Sequence, residues 1–193
     1  MKRILPFFPV TALCAILAVV MFTGCVSSKV SLSPSLAQSV QSARVDNQVA
    51  VYISTMYQNQ VHTQNVPGPG MVDVELGHAL MTCTRQALKP FFGVVMILGP
   101  AETTSLPYRI EVRTDRFRVQ DDLGADVTIF CKVTKEGKTL LEESFEGHGA
   151  GASDPGFKKL DSARAEIKRS SEEAFQDAFT KLQKEFHKKV ASS

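Results

Sequence analysis

The sequence has little net charge, few cysteines and no long hydrophobic run. Its 22 Lys and Arg face 20 Asp and Glu, and Lys2 and Arg3 supply the whole excess, because residues 1–24 contain no acid. Beyond residue 24 the two signs balance. A nucleic-acid binder needs a basic face to displace counterions from phosphates, so the balance argues against that class and against a polybasic membrane patch. The main apolar stretch, Leu13–Phe22 (LCAILAVVMF), is ten residues long. About 20 are needed to cross a hydrocarbon core of roughly 30 Å, so no transmembrane helix is expected. The apolar share of 44% and charged share of 22% suit one globular domain rather than a disordered chain.

What the chain has is an address. Lys2 and Arg3 form a charged start, Leu13–Phe22 an apolar core, and Phe22-Thr23-Gly24-Cys25 closes the segment. Residues 1–24 therefore read as a secretory signal, set aside from fold reasoning. The closing tetrapeptide has an apolar residue, two small residues and a cysteine, and it resembles the lipobox of bacterial lipoproteins. That resemblance implies cleavage between Gly24 and Cys25, a diacylglycerol on the Cys25 thiol and an acyl chain such as palmitate on the new amine. Three acyl chains make a firm anchor, since each buried CH₂ contributes about 0.8 kcal/mol. Val26 stands where an Asp would imply retention in the inner membrane. The implied location is thus the outer membrane of a Gram-negative bacterium, with the domain in the periplasm.

Residues 25–47 read as the lipidated cysteine and a Ser-rich tether, with seven Ser in residues 26–47 and no clean apolar period. A flexible chain of that length spans roughly 25 Å end to end, enough to hold the domain clear of the membrane. Residues 48–193 read as a single domain. Val49, Val51 and Ile53 alternate as a strand. Residues 57–72 are polar and contain Pro67-Gly68-Pro69-Gly70, so they read as a loop. Asp73 is placed to cap a helix over 74–88, with Leu76, Leu80, Cys83 and Ala87 on one face. Residues 93–98 are an apolar strand. Tyr108–Val119 alternates, with a phase slip after Asp115 that predicts a β-bulge. Residues 125–134 and 139–149 complete a meander around the Lys135-Glu136-Gly137-Lys138 turn. Gly147–Gly156 reads as a Gly-rich exit loop, and a long amphipathic helix over 162–190 ends the chain. The order β-α-β-β-β-β-α predicts an α+β two-layer sandwich, with a mostly antiparallel sheet, a three-strand meander and two packed helices.

The chemistry-bearing residues do not converge in sequence. His62, His78, His148 and His187 form no H-x-x-x-H or H-E-x-x-H pattern, no G-x-S-x-G elbow exists, and Gly147-His148-Gly149 is not followed by a phosphate-loop lysine. Asp121-Asp122, Asp154 and Asp161 read as turn, loop and cap residues. No catalytic residue, metal site or cofactor is expected, and the expected class is non-enzymatic. Cys14 leaves with the signal and Cys25 is lipidated, which leaves Cys83 and Cys131 in an oxidising compartment. Both lie on apolar faces. Two arrangements stay open: separate buried thiols, or a disulfide contributing about 3–4 kcal/mol.

The pattern of elements, from the lipobox through the first strand, the helix ending at Leu88, the Tyr108–Val112 strand, the 135–138 hairpin and the final helix, resembles small outer-membrane lipoproteins of the YajG type. That family is mostly without an assigned activity; the expectation is an accessory or structural protein of the cell envelope, held to the membrane by its acyl chains, with an envelope protein as partner and no nucleic acid. Its recognition surface is expected at the sheet edge or the 57–72 loop. The alternative is an auxiliary lipoprotein of an ABC-type lipid transport or lipopolysaccharide assembly system, for which a groove between helix and sheet is the expected sign.

Overall fold

The computed structural model describes residues 27–36, 44–99, 101–152 and 160–191. In chain order these form β1 (Ser28–Ser31), β2 (Asp46–Tyr52), α1 (Thr55–Gln58), β3 (Val61–Val66), β4 (Gly70–Glu75), α2 (Leu76–Leu88), β5 (Phe92–Leu98), β6 (Tyr108–Val119), β7 (Ala125–Lys135), β8 (Lys138–Gly149) and α3 (Leu160–Phe186). One π-helical turn, His187–Ala191, follows α3.

Two mixed sheets carry the strands, in orders β5-β2-β6-β7-β8 and β1-β4-β3. The meander β6-β7-β8 is antiparallel, as its alternation implies. The register shifts between Thr114 and Arg116, so Asp115 is the extra residue the phase slip foretold. β2 joins the meander in parallel, beside β6 and β5. Parallel neighbours need a crossover, and the chain between β2 and β5 supplies it through β3, β4 and α2. The architecture is an α+β sandwich. α3 covers one face of the large sheet with Ile167, Phe175, Phe179 and Phe186, all fully buried against Val127, Ile129, Cys131 and Val133 in one core. α2 packs beside α3, and Gln183, itself buried, donates to the Ala87 carbonyl (3.1 Å) across the helix pair.

Four local readings change. Residues 61–75 form a β-hairpin instead of a loop. Its Pro-Gly pairs sit at the turn, where Gly68 and Gly70 take φ of +92° and +79° that other residues resist. The pairs end the strands and do not prevent them. Asp73 lies on β4, where its carboxylate accepts from the Thr63 hydroxyl (2.7 Å). The first amides of α2 are met by a carbonyl: Leu76 and Gly77 N–H both donate to Gln60 O (2.9 and 3.1 Å). The assigned tether is partly structured: β1 pairs in parallel with β4, and Val30, Leu32 and Leu36 are buried. Serines on both faces of this segment mask its two-residue period. Finally, where the strand reading over 139–149 and the exit-loop reading over 147–156 overlap, the strand holds: Gly147 and Gly149 belong to β8.

Those two glycines matter through closeness. A Cβ on Gly147 would stand 1.9 Å from the Ala174 carbonyl oxygen, and one on Gly149 would stand 1.7 Å from that of Ser170. The backbone of α3 is seated directly on β8, and neither contact atom is a flexible side-chain end. Replacing Gly149 by Ala forces the helix off its seat. Overpacking of this kind costs about 1–3 kcal/mol. Gly149→Ala is therefore expected to lower the melting temperature by about 3–10 °C, read by thermal circular dichroism.

Candidate functional site: the uncovered face of the large sheet

The alternation that sends Ile110, Val112, Cys131 and Val133 toward the helices sends their neighbours to the other face. Tyr52 is paired in register with Glu111, Glu111 with Lys132, and Arg113 with Phe130. The Arg109 guanidinium lies 4.1 Å from the Tyr52 ring centroid, and that of Arg113 lies 3.8 Å from the Phe130 centroid. Such stacks contribute about 0.5–1 kcal/mol each at exposed sites, and they hold the guanidinium planes in place. Arg109 also pairs with Glu111 (3.2 Å), Arg113 with Asp115 (2.7 Å) and Lys132 with Glu142 (2.9 Å). These ion pairs are solvent-exposed and individually weak.

Tyr52, Ser54, Tyr57, Arg109, Glu111, Arg113 and Phe130 enclose an open cleft of about 240 Å³. A second cleft of about 400 Å³ adjoins it, lined by Thr103–Pro107, Thr134, Glu136 and Gly137, and shares Tyr52 and Arg109. Ordered tyrosine and arginine around a concavity are the residue types that dominate protein-binding surfaces. By contrast, the interface between α3 and the sheet, where a lipid groove would support the transport alternative, is filled by Ile167, Phe175, Phe179 and Phe186.

The residues singled out in the sequence go to separate places. Gly24, Cys25 and Asp154 lie outside the described residues. His62 edges onto Phe117 (5.2 Å between centroids), and the His78 ring contacts the Leu32 carbonyl (3.1 Å). His187 stacks against Phe91. Asp122 accepts from Gly124 N–H (2.9 Å) and shapes its turn. One pairing escaped the sequence: His148 Nδ1 is 2.7 Å from Asp126 Oδ1, and His148 N–H donates to Asp177 (3.1 Å). Cross-strand register brings them together, since Asp126 faces His148 on the neighbouring strand. Partial burial pushes the Asp126 carboxyl up, but the hydrogen bonds from His148 and Gln120 outweigh it and hold its pKa below the ordinary value. The pair ties β7 to β8 and, through Asp177, to α3. Among the described residues, no group of three or more His, Cys, Asp and Glu side chains could hold a metal.

Cys83 and Cys131 are both free thiols in the core. Burial pushes each from its ordinary value of 9.0 up to about 12, with Glu172 adding to the effect at Cys83. A raised thiol pKa disfavours the thiolate in the folded state, so unfolding releases protons between the two values. Stability is fully present below about pH 9 and falls as pH rises toward 12. The urea midpoint is expected to drop between pH 8 and pH 10.5, and less steeply in Cys131→Ala. Neither thiol should react with a thiol reagent before unfolding.

No family model matches the chain, and no curated protein does either. Solved structures do resemble it. A Xanthomonas campestris protein of family DUF330 superposes with a TM-score of 0.54 at 10% identity, over 86% of this chain and 97% of that one. A hypothetical protein from Chlamydia trachomatis gives a TM-score of 0.46 at 9% identity, over 78% and 100% of the two chains. A candidate lipoprotein from Caulobacter crescentus gives 0.40 at 12% identity, over 75% and 92%. The first of these likenesses shows a shared fold. At such identities the likeness goes no further than the fold.

Proposed function

We propose that this chain is a lipid-anchored, non-enzymatic lipoprotein of the outer membrane, facing the periplasm and serving as an accessory partner of an envelope assembly. The observation that carries the reading is the lipobox Phe22-Thr23-Gly24-Cys25 behind a charged start and a short apolar core, joined to a domain whose β1 begins at Ser28. No helix among the described residues is long and apolar enough to cross a membrane. The order β-α-β-β-β-β-α recurs in the fold with β1, α1 and the β3–β4 hairpin added. The recognition surface in this reading is the open sheet face around Tyr52, Tyr57, Arg109 and Arg113, which takes in the start of the 57–72 segment that the sequence offered alongside the sheet edge.

Cys25→Ser is expected to move the protein from the membrane pellet to the soluble periplasmic fraction and to abolish the acyl mass on the N-terminal peptide. Unchanged sedimentation would refute the anchor. For the partner, a photo-crosslinking residue at Tyr57 is expected to trap one envelope protein reproducibly. The same probe at Lys184, exposed on α3, is expected to trap none, and equal products from both positions would refute the sheet face as the contact.

A further inference from the structure

The start of β1 limits how far the domain can stand from its anchor. Ser28 is 3% exposed, its hydroxyl accepts from Arg164 (2.7 Å), and its register partner on β4 is Val72. Only Val26 and Ser27 separate it from Cys25. Three fully extended residues reach about 10–11 Å. A bilayer is about 40–45 Å thick around a core of about 30 Å, so each interfacial layer is itself about 5–8 Å deep. An anchor at Cys25 thus leaves almost no gap between Ser28 and the lipid headgroups.

What lies on that side of Ser28 follows from the pairing. β1 runs parallel to β4, and Val72 pairs with Gln64 on antiparallel β3. The β3–β4 hairpin turn therefore projects past Ser28 toward the anchor. Pro69 stands three positions before Val72, and Cys25 three positions before Ser28, so an extended spacer lets the anchor reach about as far as the turn. The tip, Asn65–Met71 (NVPGPGM), carries no ionisable side chain, and Pro67 and Gly68 are exposed. The first turn of α3 shares this end: Arg164 reaches Ser28, and Leu160, one turn earlier, is 44% exposed. The uncharged tip and the exposed leucine meet a headgroup layer at little desolvation cost, and Asp161, paired with Arg164 (3.5 Å) in the same turn, keeps its charge at headgroup level rather than in the hydrocarbon.

We propose that the β3–β4 hairpin tip and the first turn of α3 rest on the bilayer surface, so that the domain stands on the membrane by this end. The β7–β8 turn, at the opposite end of the large sheet, points away from it. This rests on the lipid-anchor reading of Cys25 and replaces a domain on a long tether with one held flush.

The test uses the full lipidated chain, reconstituted into vesicles of phosphatidylethanolamine and phosphatidylglycerol. Because Cys83 and Cys131 are buried, a cysteine placed at the surface takes a fluorophore selectively. Pro67→Cys puts it on the tip, and Lys138→Cys puts it on the β7–β8 turn. A nitroxide on the lipid headgroups is expected to quench the Pro67→Cys probe severalfold more than the Lys138→Cys probe. Equal quenching in membrane-bound protein overturns the proposal. A long Gly-Ser insertion after Val26 is expected to bring the tip probe down to the level of the distal one; persistence of strong tip quenching overturns the short spacer as its cause. Acyl mass on Cys25 is measured on the same samples. Its absence overturns the anchor itself, and with it this proposal, whereas its presence with equal quenching overturns only the docked orientation.

Discussion

The seat of α3 on the two glycines of β8 is the contact from which the rest of the architecture follows. Gly147 and Gly149 leave the carbonyls of Ala174 and Ser170 in direct reach of the strand backbone. With the helix that close, its phenylalanines fill the space over β7 and β8, and α2 can pack alongside. One face of the large sheet is then fully occupied. The other receives most of the polar residues of the meander's alternation, while Thr114 and Glu143 stay on the helix side, and among the described residues the helix that borders it is the four-residue α1. The division between a closed face and an open one is thus set by two missing side chains.

The open face is ordered even though it is wet. Each arginine of the Arg109 and Arg113 pair stacks on a ring and meets an acid along its own strand. Two weak restraints acting on one planar group limit its rotamers more than either would alone. A surface with its arginines already positioned loses less conformational freedom on meeting a partner, which is where much of the cost of association lies.

The strands and the final helix were legible wherever one face is buried and the other wet, because that condition writes a clean period into the sequence. Tyr108–Val119 is the clearest case, down to its bulge at Asp115. Legibility failed where both faces carry small polar residues. β1 and the residue after it hide Val30 and Leu32 among serines, and β3 alternates His62, Gln64 and Val66 with the exposed Val61, Thr63 and Asn65. Gln64 shows why no local pattern could reveal that strand's role: its amide bonds both the N–H and the carbonyl of Val119, 55 residues away, in place of a backbone ladder. The Asp126–His148 pair was invisible for the same reason, since it exists only once β7 and β8 are in register. The clefts were equally unreadable, being made by residues from β2, α1, β6 and β7 that share no motif. Of the site residues read from sequence, Cys25 rests on a contiguous pattern and needs no fold to be recognised.

The parallel course of β1 beside β4 has a mechanical meaning. A pull on the chain at residue 27 is directed along the ladder that joins Ser28–Ser31 to Val72–Glu75. Load applied in that direction shears the hydrogen bonds together, whereas a pull at the end of a hairpin would unzip them singly. The Arg164–Ser28 bond adds a clasp between the same strand and the longest helix. Tension arriving from the amino-terminal side is therefore shared across a strand pair and a helix before it reaches the core, and the segment that looks weakest in sequence is the fold's fastening.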